Sequence, residues 1–301
     1  MKIATTIGDV VKYTDGNYVE AITLMGKTPF RYLDFSFYDM TGKNDHPLMQ
    51  DNWREIMEAV KQRGDELGME FVQAHLPDCR IGDDRRDLAI ATCTRALECC
   101  GILGIKNAVI HSSYGEGGFC YPADQQGYME ANKPFFDALI PTMERCNVNV
   151  LLENSCTANM GSNYFPITGK DLNEMVAYLN HPNFGAAWDV GHSHIQGVNQ
   201  RDEMVTLGTN LKAVHLHDNN GRRDTHQRPF HGNADWDSIL RGMIDSGFEG
   251  CFTFEADGDL PYLPTEAEPV KDLRKQQKLQ AISQLHATGK ALLARYGIEG
   301  E

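Results

Sequence analysis

The chain has 301 residues, 41% hydrophobic and 23% charged, an ordinary balance for a globular protein with a sizeable core. Its 42 acidic residues outnumber 28 lysines and arginines, and the net charge of −14 repels polyphosphate backbones and anionic membranes, so neither nucleic acid nor a membrane is expected as partner. No stretch approaches the roughly 18 apolar residues of a membrane span, and MKIATTIGDVVKY has no apolar core with a cleavage site, so a cytoplasmic location is expected.

In chain order, apolar runs of five to eight residues alternate with longer amphipathic stretches. The runs are KIATTIG (2–8), RYLDFSFY (31–38), EFVQAHLP (70–77), KNAVIHSS (106–113), NVNVLLENS (147–155), NFGAAWDVGH (183–192), NLKAVHLHDN (210–219) and EGCFTFEAD (249–257). After the second run, Trp53, Ile56, Met57, Val60 and Leu67 share one helical face, with Asp51 as N-cap and Gly68 as stop. Helices are also expected over 84–103, 124–146, 168–180, 235–246 and 266–296, with a short, weak one over 199–208. Eight βα units with near-continuous apolar strands predict a parallel sheet closed as a (β/α)₈ TIM barrel, one domain over 1–301, with the helix of about 266–296 packed outside it. That last helix carries Val270, Leu273, Ile282, Leu285, Leu292 and Leu293, suited to barrel packing or to an interface. The irregular stretches 114–123, 156–167, 219–235 and 257–266 follow runs four, five, seven and eight, on the loop face where a barrel builds its pocket. Cysteines, including Cys93, Cys99, Cys100, Cys146 and Cys251, form no CxxC pair and read as small buried hydrophobes.

Four potential metal ligands, Glu153, Asp189, His215 and Glu255, close the last four apolar segments. At the C-terminal ends of barrel strands they would converge, and three carboxylates with one imidazole suit Mn²⁺ foremost, or Mg²⁺ or Co²⁺, better than a thiolate-seeking metal. Parity permits this: Leu151 and Glu153, Ala187 and Asp189, His215 and His217, and Thr253 and Glu255 lie on common strand faces. Taken singly, each could instead cap a helix or pair with an arginine. His75 and His111 end runs three and four and read as pocket wall, while His217, in phase with His215, reads as its support. Trp188, out of phase with Asp189, and Trp236 read as packing.

The motifs AHLPD (74–78), VIHSS (109–113), LLENS (151–155), WDVGHSH (188–194), VHLHDN (214–219), the Asp224-Thr-His226 step before Gly232, and FTFEAD (252–257) run over about two thirds of the chain. In combination they resemble the xylose isomerase-like barrel superfamily, especially its sugar phosphate isomerase/epimerase and ketose 3-epimerase members. The resemblance implies a divalent-metal-dependent isomerase or epimerase of a small sugar or related polyhydroxy carbonyl compound, with Glu153 and Glu255 exchanging a proton through a metal-stabilised enediolate. It also implies contacts to substrate from His192 and from an arginine after the seventh run, Arg222 in preference to Arg223, and a homo-oligomer, dimer or tetramer. His192 could alternatively orient Asp189. His75, His111 and His226 complete the expected substrate-binding set. A lyase or dehydratase of a keto-sugar or keto-inositol would share the first step. Another class, an endonuclease IV-like trinuclear zinc DNA repair nuclease, would use His75, His111, Glu153, Asp189, His192, His215, Asp224, His226 and Glu255, but the acidic charge and the lack of a glycine-rich DNA-contacting signature after the first run oppose it. No phosphate-cradling glycine loop occurs, so only Arg222, Arg223 and Arg228 could serve a phosphosugar.

Overall fold

Alternating βα units give alternating strands and helices throughout. The computed structural model describes residues 1–78, 85–113, 124–161, 164–265 and 267–301; the predicted loop 114–123, together with Cys79, Cys120 and residue 266, lies wholly or partly outside them. The strands are β1 (Ile3–Thr6), β2 (Tyr32–Ser36), β3 (Glu70–His75), β4 (Asn107–Ile110), β5 (Asn149–Glu153), β6 (Phe184–Asp189), β7 (Leu211–His215) and β8 (Phe252–Phe254). All pair in parallel, in the order β7-β6-β5-β4-β3-β2-β1-β8. Between β7 and β8 the barrel is nearly closed by a bridge pairing Leu216 with Phe254, flanked by Leu216 N donating to Thr253 O at 2.9 Å and Glu255 N donating to Leu216 O at 3.1 Å.

Helices α1 (Gly8–Lys12) and α2 (Tyr18–Met25) follow β1, and α3 (Trp53–Glu66) follows β2. Next come α4 (Arg86–Leu103), α5 (Gln125–Cys146), then α6 (Thr157–Met160) and α7 (Gly169–Leu179) after β5, α8 (Val190–Gln196) and α9 (Gln200–Leu207) after β6, α10 (Trp236–Asp245), and α11 (Glu268–Ala294). The sequence pattern did not reveal α2, although Asn17 caps it by accepting from Glu20 N, nor α8, which begins where the sixth apolar run was expected to continue. The N-cap of α3 is Asn52 rather than Asp51, and it makes no side-chain cap bond; Gly68 ends that helix at φ +65°, a conformation that favours glycine.

Strand faces divide the core. Leu33, Phe35, Val150, Leu152, Trp188, Val214, Phe252 and Phe254 point outward and are buried under the helices. Inside the barrel, Val109, Leu151, Ala187 and Ala213 make a small separate apolar cluster, whereas the β2, β3 and β8 side is polar, with Asp34, Gln73 and Thr253 all at most 3% exposed. Trp188 packs in the outer layer and donates to Gln200 Oε1 at 2.9 Å. Helix α11 buries Ile282, Leu285, Leu292 and Leu293 against the barrel but leaves Val270 and Leu273 exposed. Free Cys93, Cys99, Cys100 and Cys156 are buried. Among the described residues no helix is long and apolar enough to cross a membrane.

Candidate metal and active site

Parity carries the four proposed ligands to one point. Glu153, Asp189 and His215 are the last residues of β5, β6 and β7, Glu255 directly follows β8, and donor atoms from all four lie within 4.8 Å of one another. His215 Nδ1 stands 2.6 Å from Glu153 Oε1 and 3.3 Å from Glu255 Oε2. Asp189 is also the N-cap of α8, accepting from His192 N at 2.6 Å, so the strand-to-helix switch fixes the carboxylate from both sides. Among the described residues the buried Glu153 Oε2 has no hydrogen-bond partner, although His75 Nε2 and His111 Nε2 lie 3.4 and 3.3 Å away. An unshared carboxylate oxygen, two more carboxylates and an imidazole, with no thiolate, fit a hard divalent cation whose charge offsets anions that are otherwise costly to bury.

Two further donor groups adjoin this set: His75, His111 and Glu153, and His192, His217, Asp224 and His226. His192 is held at both ring nitrogens, its Nδ1 3.0 Å from Asn154 O and its Nε2 2.9 Å from Asp224 Oδ2. His217 Nε2 reaches both Asp189 oxygens at 3.1 and 3.0 Å and its ring stacks on His226 at 4.1 Å, so it supports Asp189 rather than His215. Gly191 makes room for this: a side chain there would fall onto the His217 ring.

The electrostatics of these groups follow from burial set against pairing. Burial opposes the charge on Glu153, but His215 and His111 hold its carboxyl well below the usual range. Glu255 moves the other way, raised by burial despite attraction to His215 and His226. Burial also opposes the imidazolium of His75, yet Glu153 carries it up to about 9; at His192, Asp189 and Asp224 overcome burial and push it up to about 10. At His111 burial wins and the value falls to about 4.

A cavity of about 840 Å³ opens above the site, lined in part by His75, His111, His192, His226, Asp224 and Glu255. Four of the five expected substrate-binding residues therefore face it. Arg222 is not among its described lining residues: Arg222 and Arg223 are exposed, with their backbone amides donating to Asn220 Oδ1, and Arg228 is committed to Asp259 and Gln284. The loop holding these residues is braced by Asp218, which accepts from Phe230 N, Ala234 N and Trp236 Nε1.

Several buried polar residues escaped the sequence reading. Asn154 donates to Asp189 O at 3.0 Å and accepts from Asp189 N at 2.7 Å, pinning the β6 end. Asp34 on β2 reaches His215 Nε2 at 3.0 Å, and Gln73 lies beside both. Behind the cavity wall, Lys278 of α11 donates to Asp9 Oδ2 at 2.6 Å, Asp257 O at 2.6 Å and Asp259 O at 2.7 Å.

Parallel strands that gather carboxylates and imidazoles at their C-terminal ends define a TIM barrel with a cluster of potential metal ligands at its loop face. The chain belongs to the xylose isomerase-like TIM barrel family, whose model matches residues 26–279. An uncharacterized protein of Methanocaldococcus jannaschii is 22% identical over 228 residues, 74% of this chain and 75% of that protein. Among solved structures, a D-psicose 3-epimerase in the presence of D-fructose superposes with a TM-score of 0.71 at 15% identity, covering 97% of this chain and 99% of that one. A family 2 AP endonuclease from Brucella melitensis gives 0.63 at 15% identity, covering 84% and 91%. At such identities these likenesses establish the fold.

Proposed function

We propose that the protein is a divalent-metal-dependent isomerase or epimerase of a small sugar or related polyhydroxy carbonyl compound. The observation that carries this reading is the convergence of Glu153, Asp189, His215 and Glu255 within 4.8 Å, with Glu255 just past β8 on one side of His215 and Glu153 at the end of β5, beyond Asp189, on the other. These four would hold the cation, Mn²⁺ foremost, which when bound would polarise the substrate carbonyl and offset developing negative charge. Glu153 accepts the proton from the carbon beside the carbonyl, and Glu255 delivers one to the opposite face; reversal exchanges their roles. His192 and His226 bind hydroxyl groups from one side of the cavity, and His75 and His111 from the other. The likeness to an epimerase fold supports this assignment.

The three adjoining donor groups favour one second reading, a trinuclear zinc nuclease acting on DNA. Against it, the described cavity lining holds Asp9, Asp39, Asp78, Asp224, Glu255 and Asp257 but, among lysines and arginines, only Lys12, a poor surface for a phosphodiester backbone. Metal analysis of purified protein, followed by incubation with a ketose panel in deuterated water, tests both. One Mn²⁺, Mg²⁺ or Co²⁺ per chain with deuterium entering beside the carbonyl is the expected outcome. Exchange with loss of water would make the enzyme a dehydratase, and three zinc ions with cleavage of abasic DNA would make it a nuclease. Metal binding without exchange in any polyhydroxy carbonyl compound would overturn the epimerase assignment.

A further inference from the structure

His215 is gripped from opposite ends. Its Nδ1 faces the other proposed ligands, 2.6 Å from Glu153 and 3.3 Å from Glu255, while its Nε2 points down into the barrel, 3.0 Å from Asp34 Oδ2. Asp34 lies mid-strand on β2, 1% exposed, on the interior face that its register with Gln73 of β3 defines. Among the described residues no lysine or arginine is paired with it, and Asp34 Oδ1 has no hydrogen-bond partner. A carboxylate so buried is costly to retain for packing alone. Every assigned contact of its other oxygen is to His215 or to Gln73, whose amide nitrogen donates to Asp34 Oδ2 at 3.1 Å.

Imidazole ligates through one nitrogen only when the proton sits on the other. Both ring nitrogens face carboxylates, Nδ1 toward Glu153 and Nε2 toward Asp34; a cation bound at Nδ1 would replace the proton there, and Asp34 Oδ2 is placed to accept from the N–H that stays on Nε2. Gln73 stands 2.8 Å from the same ring nitrogen. The opposite arrangement, with Gln73 donating to Nε2, would put the proton on Nδ1, where it would oppose a cation.

We infer that Asp34 is the positioning residue of the metal centre, holding His215 in the tautomer and orientation that bind the cation and thereby setting the site's affinity. This rests on the proposed function only in taking His215 as a ligand. Carboxylates in this relation to a metal-bound histidine alter metal affinity by about 10–100-fold when removed.

The test measures Mn²⁺ binding by calorimetry to the metal-stripped wild-type chain and to Asp34→Asn, Asp34→Ala and Val109→Ala. Val109→Ala disturbs the apolar half of the barrel interior without touching His215. Asp34→Asn keeps the shape and loses the charge. Expected are about 10-fold weaker binding for Asp34→Asn, about 100-fold for Asp34→Ala, and an affinity within twofold of wild type for Val109→Ala, with the metal-free unfolding temperature of Asp34→Asn close to wild type. Wild-type affinity in both Asp34 variants would overturn the inference while leaving the metal site intact. Equal weakening in Val109→Ala would also overturn it, by reducing Asp34 to a structural residue. Absence of Mn²⁺, Mg²⁺ or Co²⁺ binding to the wild type would instead remove the metal reading itself. Should Asp34→Ala fail to fold, Asp34→Asn decides alone.

Discussion

Glu153 and Glu255 approach His215 from neighbouring positions but live in different surroundings, the first 1% exposed among imidazoles and the second 19% exposed at the cavity floor. As the proposed acid and base, each should be indispensable: Glu153→Gln and Glu255→Gln are expected to slow turnover by about 10²- to 10⁴-fold, read as deuterium exchange in single-turnover conditions. Unchanged exchange in both would remove them from proton transfer. The convergence of the four strand-end residues was legible in the sequence because each closes an apolar run at the right parity. Asp34, Gln73 and Asn154 were not, since a lone polar residue in or after a strand has no local signature. One signal did exist for Asp34: in YLDFS, Leu33 and Phe35 take the helix-facing side, and in a closed parallel sheet the remaining face is the barrel interior. An arginine after the seventh run carried no comparable constraint, and the loop turns Arg222 outward.

At the level of elements, α11 does more than cover β1 and β8. Its Lys278, 3% exposed, inserts an ammonium group between Asp9 in the first turn of α1 and the carbonyls of Asp257 and Asp259 after β8. Asp257 in turn contacts His226 Nδ1 at 3.2 Å, so Lys278 ties the outer helix to the cavity rim. Replacing Lys278 by Met leaves Asp9 buried without its main partner and is expected to destabilise the fold by about 3–5 kcal/mol, measured by urea unfolding. Loss of less than about 1 kcal/mol would mean that Lys12, 3.0 Å from Asp9, suffices as compensation. The amphipathic period located α3, α4, α5, α7, α10 and α11 because each buries a stripe. It passed over α8, where WDVGHSH is too short to show a period and the helix is nucleated instead by Asp189 as its cap.

Over the whole molecule, the net charge of −14 and the carboxylate-rich lining of the cavity act in the same direction. A ketose phosphate is therefore expected to be used at least about a hundredfold less efficiently than the free sugar, because juxtaposed like charges cost several kcal/mol; comparison of kcat/KM for the pair checks this, and equal efficiency would place a cationic loop over the site. The eight-unit barrel was readable from alternation alone, but not where its closure is thinnest. That place is the seam between β7 and β8, spanned by the Leu216–Phe254 bridge; β7 ends in His215, and Glu255 directly follows β8. A cation shared by those two residues would work as a rivet across the gap. Amide protons of Leu216 and Glu255, which make the seam's hydrogen bonds, should then exchange with solvent at least about tenfold more slowly once Mn²⁺ is added, while β3 and β4 amides change little. Uniform protection over all eight strands would show instead that the sheet tightens as one body.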